Sequence, residues 1–203
     1  MRAVALETPV RELLPEVCRT CSWWQTPATA DDTTETTAEG LRREWEQTVE
    51  AEVAMFGRLL LDGDETIGWL QAAPAHLVAR ARRLPPGPPA TDAHLLMCAY
   101  FHDDEYLHGF QYMLHDLVAA LKHHGVEALE AYALRDARPE DRFRGYLRDL
   151  NLFNPQVLTG SGFRRVAGPG AVGRYRLELA TLIDAPRRVA AEQRPVRPAT
   201  LPA

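Results

Sequence analysis

Hydrophobic and polar positions change period several times along this chain, and each change marks a candidate element. Residues 1–25 are mixed and close on an aromatic pair, Trp23 and Trp24. Residues 26–40, TPATADDTTETTAEG, are polar, Thr-rich and acidic, so they can bury little and read as a loop or linker. From Leu41 the period becomes helical. Leu41, Trp45, Thr48/Val49, Glu52/Val53 and Phe56 recur at three- and four-residue steps, which puts Glu46 and Glu50 on the wet side, and Gly57 stops the helix. Gly57 to Pro74 reads as a β-hairpin, because two apolar runs, Leu59 to Leu61 and Ile67 to Ala72, flank Asp62-Gly63-Asp64. Residues 75–92 carry Arg80, Arg82, Arg83 and a Pro-rich stretch, and their second half lacks any period.

Ala93 to Phe101, AHLLMCAYF, is almost continuously apolar, as a strand buried on both faces would be. A polar loop, HDDEYLHG, follows. Phe110, Met113/Leu114, Leu117/Val118 and Leu121 then define a helix over Gly109 to His124, and Val126 to Leu134 reads as the next strand. Strand, loop, helix and strand in succession make a βαβ unit with a parallel pair. The charged segment Arg135 to Leu150 is expected to be a surface helix. Asn154-Pro155 reads as an N-cap with Pro at the first helical position, opening a short helix to about Ser161. Gly162-Phe163 begins a last hairpin, Phe163 to Val166 and Arg174 to Ala180.

Composition bounds the classes. The chain has 203 residues, 46% hydrophobic and 25% charged, which suits one domain with a full core. Residues 1–183 are expected to form it, with 26–40 as an internal loop and the Pro- and Arg-rich stretch 184–203 as a disordered tail. Net charge is −5, against the basic excess of a nucleic-acid binder. No apolar run approaches the roughly 18 residues of a membrane span, and no signal-peptide stretch is evident, so the expected location is the cytoplasm. The only lysine is Lys122, which argues against lysine-based chemistry. The three cysteines are Cys18, Cys21 and Cys98. A single CxxC falls short of a four-ligand zinc site, so the pair is read as packing, with zinc or redox chemistry as the alternative, and Cys98 as a core residue.

The order of elements over residues 41–180 resembles the GNAT acetyltransferases, an α/β fold of α+β type with a mixed, twisted sheet flanked by helices. In that family an Arg/Gln-x-x-Gly-x-Gly/Ala loop opens the helix after the central strand, and its amides hold the pyrophosphate of acyl-CoA, an anion site at a helix N-terminus. The matching stretch here is Tyr106-Leu107-His108-Gly109-Phe110-Gln111, which agrees at Gly109 and departs at Tyr106 and Gln111. Gly162-Phe163 matches the "GF" that often begins the family's penultimate strand. The tyrosine that many members use as general acid, four residues earlier, is Leu158. The pattern Cys18-Arg-Thr-Cys21-Ser-Trp23-Trp24 is similar to a narrower, actinobacterial GNAT-like group.

The resemblance implies N-acyl transfer from acetyl-CoA or another acyl-CoA to an amine of a small molecule or protein. Phe101, Leu107, His108, Gly109, Phe110, Gln111 and Tyr112 would be the cofactor-binding set, with pantetheine paired along Cys98 to Phe101. An amine must lose a proton to attack, and a carboxylate or histidine at the end of the central strand can take it. Asp104 and His102 are the first candidates as base, beside Asp103 and Glu105, and Tyr106 or Tyr132 could reprotonate the thiolate. The competing reading is solvated loop residues that accept helix N-terminal amides. His102, Asp104, His108 and His115 could also be read as a metal set, but no spacing is diagnostic, and no metal is expected. Partner expectations are the amine acceptor, no nucleic acid, no membrane, and room for a homodimer. The alternative function is a catalytically degenerate GNAT-like protein that binds a ligand or partner.

Overall fold

Strands form where apolar residues alternate or run together, and here they gather into one mixed sheet. The computed structural model describes residues 1–26, 35–101, 106–135, 146–147 and 151–181. The strands are β1 (Arg2–Ala5), β2 (Gly57–Asp62), β3 (Glu65–Pro74), β4 (Ala93–Phe101), β5 (Ala128–Leu134), β6 (Tyr146–Leu147), β7 (Leu152–Phe153), β8 (Arg164–Ala167) and β9 (Val172–Glu178). The helices are α1 (Glu16–Thr20), α2 (Glu35–Val53), α3 (Tyr106–His123) and α4 (Pro155–Gly160). The sheet runs β1-β2-β3-β4-β5-β7-β6, with β9 pairing β5 and β8.

Two apolar clusters cover the two faces of the sheet. On one, α3 buries Phe110, Met113, Leu114, Leu117, Val118 and Leu121 against Leu70, Leu96, Ala99 and Leu129. On the other, Trp45, Val49 and Val53 of α2 pack with Trp24, Trp69, Leu95, Met97 and Tyr132. Each fully buried side chain of this size contributes about 1.5–3 kcal/mol, as an upper bound. Asn154 caps α4 as its sequence promised, its Oδ1 accepting from Gln156 N at 2.8 Å with Pro155 at the first helical position. Among the described residues no helix is long and apolar enough to cross a membrane.

The sheet opens between β4 and β5. These strands pair in parallel only at Ala93–Ala128, His94–Leu129 and Leu95–Glu130. Just beyond, β4 carries a bulge. Gln71 of β3 lies opposite Cys98 and Ala72 opposite Leu96, so Met97 has no partner on β3. An inserted residue bends and twists its strand. From Leu96 to Phe101, β4 stays paired with β3 but not with β5. The bulge is tied from outside the sheet, where Trp24 Nε1 donates to the buried Met97 carbonyl at 3.0 Å.

Four sequence expectations change. The helix expected from Leu41 begins at Glu35, inside the stretch read as a loop. Leu41, placed on its apolar face, is exposed, and Glu46, placed in water, is fully buried. The reason is an i, i+3, i+4, i+7 face made of Arg42, Trp45, Glu46 and Val49, in which paired charges take core positions. Tyr146–Leu147, inside the segment read as a surface helix, is a strand paired with β7. Residues 27–34, 136–145, 148–150 and the tail from 182 lie outside the described residues, and the readings made there stop at that boundary.

Candidate active site

Helix α3 starts at Tyr106, close behind the end of β4, and glycine makes that approach feasible. A Cβ at Gly109 would stand 3.0 Å from Phe101 Cδ1 and 3.1 Å from Cε1. A Cβ at Gly68 on β3 would press still harder on the same ring, at 2.7 Å from Cε1. The Phe101 ring therefore lies between two glycines, and Gly109 has a packing role whatever else it does. Because α3 begins at Tyr106, the N–H groups without intrahelical acceptors are those of its first turn. That narrows the expected cradle. Leu107 and His108 belong to the first turn, while the amides of Phe110, Gln111 and Tyr112 are engaged within the helix. Phe110 is also a core residue, whereas His108, Gln111 and Tyr112 are exposed on the surface.

His102, Asp103, Asp104 and Glu105 lie outside the described residues, as do the side chains of Tyr106 and Leu107. His108 and His115 are exposed on α3. Tyr132, the other candidate proton donor, is fixed elsewhere. Its hydroxyl sits 2.6 Å from the Gly87 carbonyl and 3.2 Å from that of Ala81, and burial pushes its pKa up. It ties the Pro-rich connector to β5. Leu158 is fully buried in the core, so α4 brings no acid to the site.

Beside the open part of β4 is a cavity of about 210 Å³. Cys98 and Tyr100 line it from β4, Trp69 and Gln71 from β3, Trp24 from the N-terminal segment and Arg42 from α2. Asn151, just before β7, also lines it, so the cavity touches both halves of the sheet. Tyr100 stacks on Trp69 with ring centroids 4.4 Å apart. Cys18 and Cys21 also line the cavity, which brings all three cysteines to one place. Desolvation pushes the Cys98 thiol well above its ordinary pKa, which favours the protonated form.

Arg42 belongs to a buried charge cluster. Its Nε donates to Glu46 Oε1 at 2.6 Å, and Arg11 Nε donates to Glu46 Oε2 at 2.5 Å. Arg11, Arg42 and Glu46 are each about 2% exposed or less. Arg11 also faces Glu12 at 3.5 Å and Glu39 at 3.9 Å, and donates to the Arg19 carbonyl. Arg42 has no second carboxylate among the described residues. The sequence singles out Cys18, Cys21, Cys98 and Trp24 but not Arg42 or Gln71, although an Arg and a Glu four apart around a tryptophan are a visible signal.

No protein-family model matches the chain, and no curated protein matches it. Solved structures do. An aminoglycoside 6'-acetyltransferase type Ii is similar at 12% identity with a TM-score of 0.52, over 88% of this chain and 97% of that one. An N-acetyltransferase from Staphylococcus aureus Mu50 is similar at 12% identity with a TM-score of 0.51, over 88% of this chain and 98% of that one. These likenesses establish the fold, a mixed α/β single domain of the GNAT acetyltransferase type.

Proposed function

We propose that the protein is an acyl-CoA-dependent N-acyltransferase, using acetyl-CoA or a related acyl-CoA and acting on an amine. The observation that carries this reading is the opening of the sheet at Met97 with the α3 N-terminus set beside it. The residues present fit such a co-substrate. The β4 edge from Leu96 to Ala99 lies beyond the last pair with β5, at Leu95, and offers main-chain groups to an amide-bearing chain. The first-turn amides of α3, at Leu107 and His108, suit a pyrophosphate. When bound, acetyl-CoA would supply an activated acyl thioester. The chain's own work is then to orient the acceptor, exclude water and move one proton. Asp104 or His102 remains the proposed base, and Tyr106 the proposed donor to the departing thiolate. The likeness of Cys18 to Trp24 to an actinobacterial GNAT-like pattern agrees with a packing role for that segment at the β4 bulge.

Acetyl-CoA should stabilise the protein by mass action. At a hundredfold excess over its Kd the gain is about 2.7 kcal/mol, readable as a rise in Tm. No rise at millimolar acetyl-CoA would refute the proposal. A second reading, a GNAT-shaped protein that binds without catalysing, is favoured by the buried Leu158 in place of an acid. Stabilisation by acetyl-CoA with no thiol release across a panel of amines would select it.

A further inference from the structure

The cavity beside β4 is lined by two buried residues that each carry a donor without an acceptor among the described residues. Arg42 and Gln71 are each 2% exposed. Arg42 spends Nε on Glu46, and its Nη1 donates to the Gln25 side-chain oxygen at 3.1 Å in the amide orientation that satisfies both groups. Its guanidinium also lies 4.9 Å from the Trp45 ring centroid. Its Nη2 is left without a hydrogen-bond partner among the described residues, and so is Gln71 Nε2. Buried donors of this kind are costly when unmet. The charge count agrees with the hydrogen-bond count. Two buried guanidinium groups share the single Glu46 carboxylate, and only Arg11 has other carboxylates within 4 Å. Among the described residues one positive charge therefore stands uncompensated, and Arg42 lines the cavity.

What is missing is an acceptor group carrying one negative charge. A carboxylate supplies two oxygens and that charge in a planar geometry that matches a guanidinium. A phosphate dianion fits less well, since one cation among Trp24, Trp69 and Tyr100 would leave charge unmet in an apolar wall. The volume, about 210 Å³, is below the roughly 300–1,000 Å³ of sites for drug-sized ligands. We propose that this cavity binds a small carboxylate with an apolar or aromatic body, of amino-acid size, whose oxygens Arg42 and Gln71 hold. If the acyltransferase reading is right, on which this last step rests, the ligand is the amine acceptor. The substrate class is then amino acids and similar amino-carboxylates.

The test uses leucine, methionine and phenylalanine, each as the free acid and as its carboxamide, with full-length protein in thermal shift and calorimetry. At least one acid should bind about tenfold or more tightly than its carboxamide, since a charge-assisted pair is lost in the amide. Arg42→Met should abolish that preference and shift Tm by no more than about 4 °C, because the Arg11–Glu46 pair remains. Gln71→Leu serves as the second variant, weakening the acid while keeping the fold. Equal binding of acid and amide, no binding of any acid, or an unchanged preference in both variants would overturn the proposal. Acids that bind but are never acetylated would leave the site standing and overturn its assignment as the acceptor site, and the absence of any stabilisation by acetyl-CoA in the same assay would sink the acyltransferase reading separately. Acetylation of acids and carboxamides with equal efficiency would overturn the site and leave the acyltransferase reading standing.

Discussion

Glu46→Gln is the most informative single substitution in the core. It keeps the shape of the side chain but removes the only carboxylate that two buried guanidinium groups share. One of the two Nε donors must then face an amide NH₂. Breaking a buried ion pair from one side costs about 3–5 kcal/mol. Arg11 keeps Glu12 and Glu39 within 4 Å, though both are largely exposed, which favours the lower half of that range. For a chain of this size the loss corresponds to a Tm lower by about 6–20 °C. Arg42→Met works in the opposite sense. It removes the uncompensated charge and leaves Arg11 paired with Glu46, at the expense of the Gln25 hydrogen bond and the Trp45 contact. The net change should lie within about 1 kcal/mol of zero. The double variant should then be more stable than Glu46→Gln alone, with a coupling energy of about 1–3 kcal/mol. Urea denaturation of the four proteins measures the cycle. If Arg42→Met costs as much as Glu46→Gln, or the two effects add, Arg42 is no surplus charge and the reasoning fails.

Three further outcomes follow from single contacts. Trp24→Phe removes the indole donor to the Met97 carbonyl and should cost about 2–4 kcal/mol in urea unfolding. Trp23→Phe, which thins a cation–π contact with Arg80 and an edge contact with Trp24 but removes no donor to the bulge, should cost about 1 kcal/mol, and equal costs would refute the tie to the bulge. Gly68→Ala should displace the Phe101 ring, cost about 1–3 kcal/mol, and weaken any stabilisation by acetyl-CoA. An unchanged response to acetyl-CoA would separate Phe101 from that site. His94 is buried, and desolvation lowers its pKa from 6.5 to about 4. The unfolded chain therefore binds the extra proton first, and stability should fall as pH drops from about 6.5 to 4, by about 3 kcal/mol in all. His94→Leu should flatten that limb of the stability–pH profile, and an unaltered limb would count against the assignment.

Most of the element order was legible because it rests on hydrophobic period, which is set by burial on one face or both. The β2–β3 hairpin, the doubly buried β4, the apolar face of α3 and the Asn154 cap all follow from local pattern. The features that matter most for function do not. A glutamate at a helix position reads as wet unless its cationic partners are known, and one of them, Arg11, is 35 residues away. The Met97 bulge has no local signature, since it depends on how β3 registers against β4. Tyr132 reads from the sequence as a candidate proton donor on a strand. What engages it is the connector around Ala81 and Gly87, brought there only by the fold.

The short β4–β5 ladder also has a mechanical consequence. Seven residue pairs join β3 to β4 and seven join β5 to β9, but only three cross between them. The sheet is thus two well-stitched panels with a thin seam, and buried His94 lies in that seam. Amide hydrogen exchange should resolve the panels as separate opening units, with the β4–β5 seam exchanging ahead of either interior. A ligand bridging the cavity from Cys98 to Asn151 would fasten the panels together, and slower exchange along the seam would report its arrival.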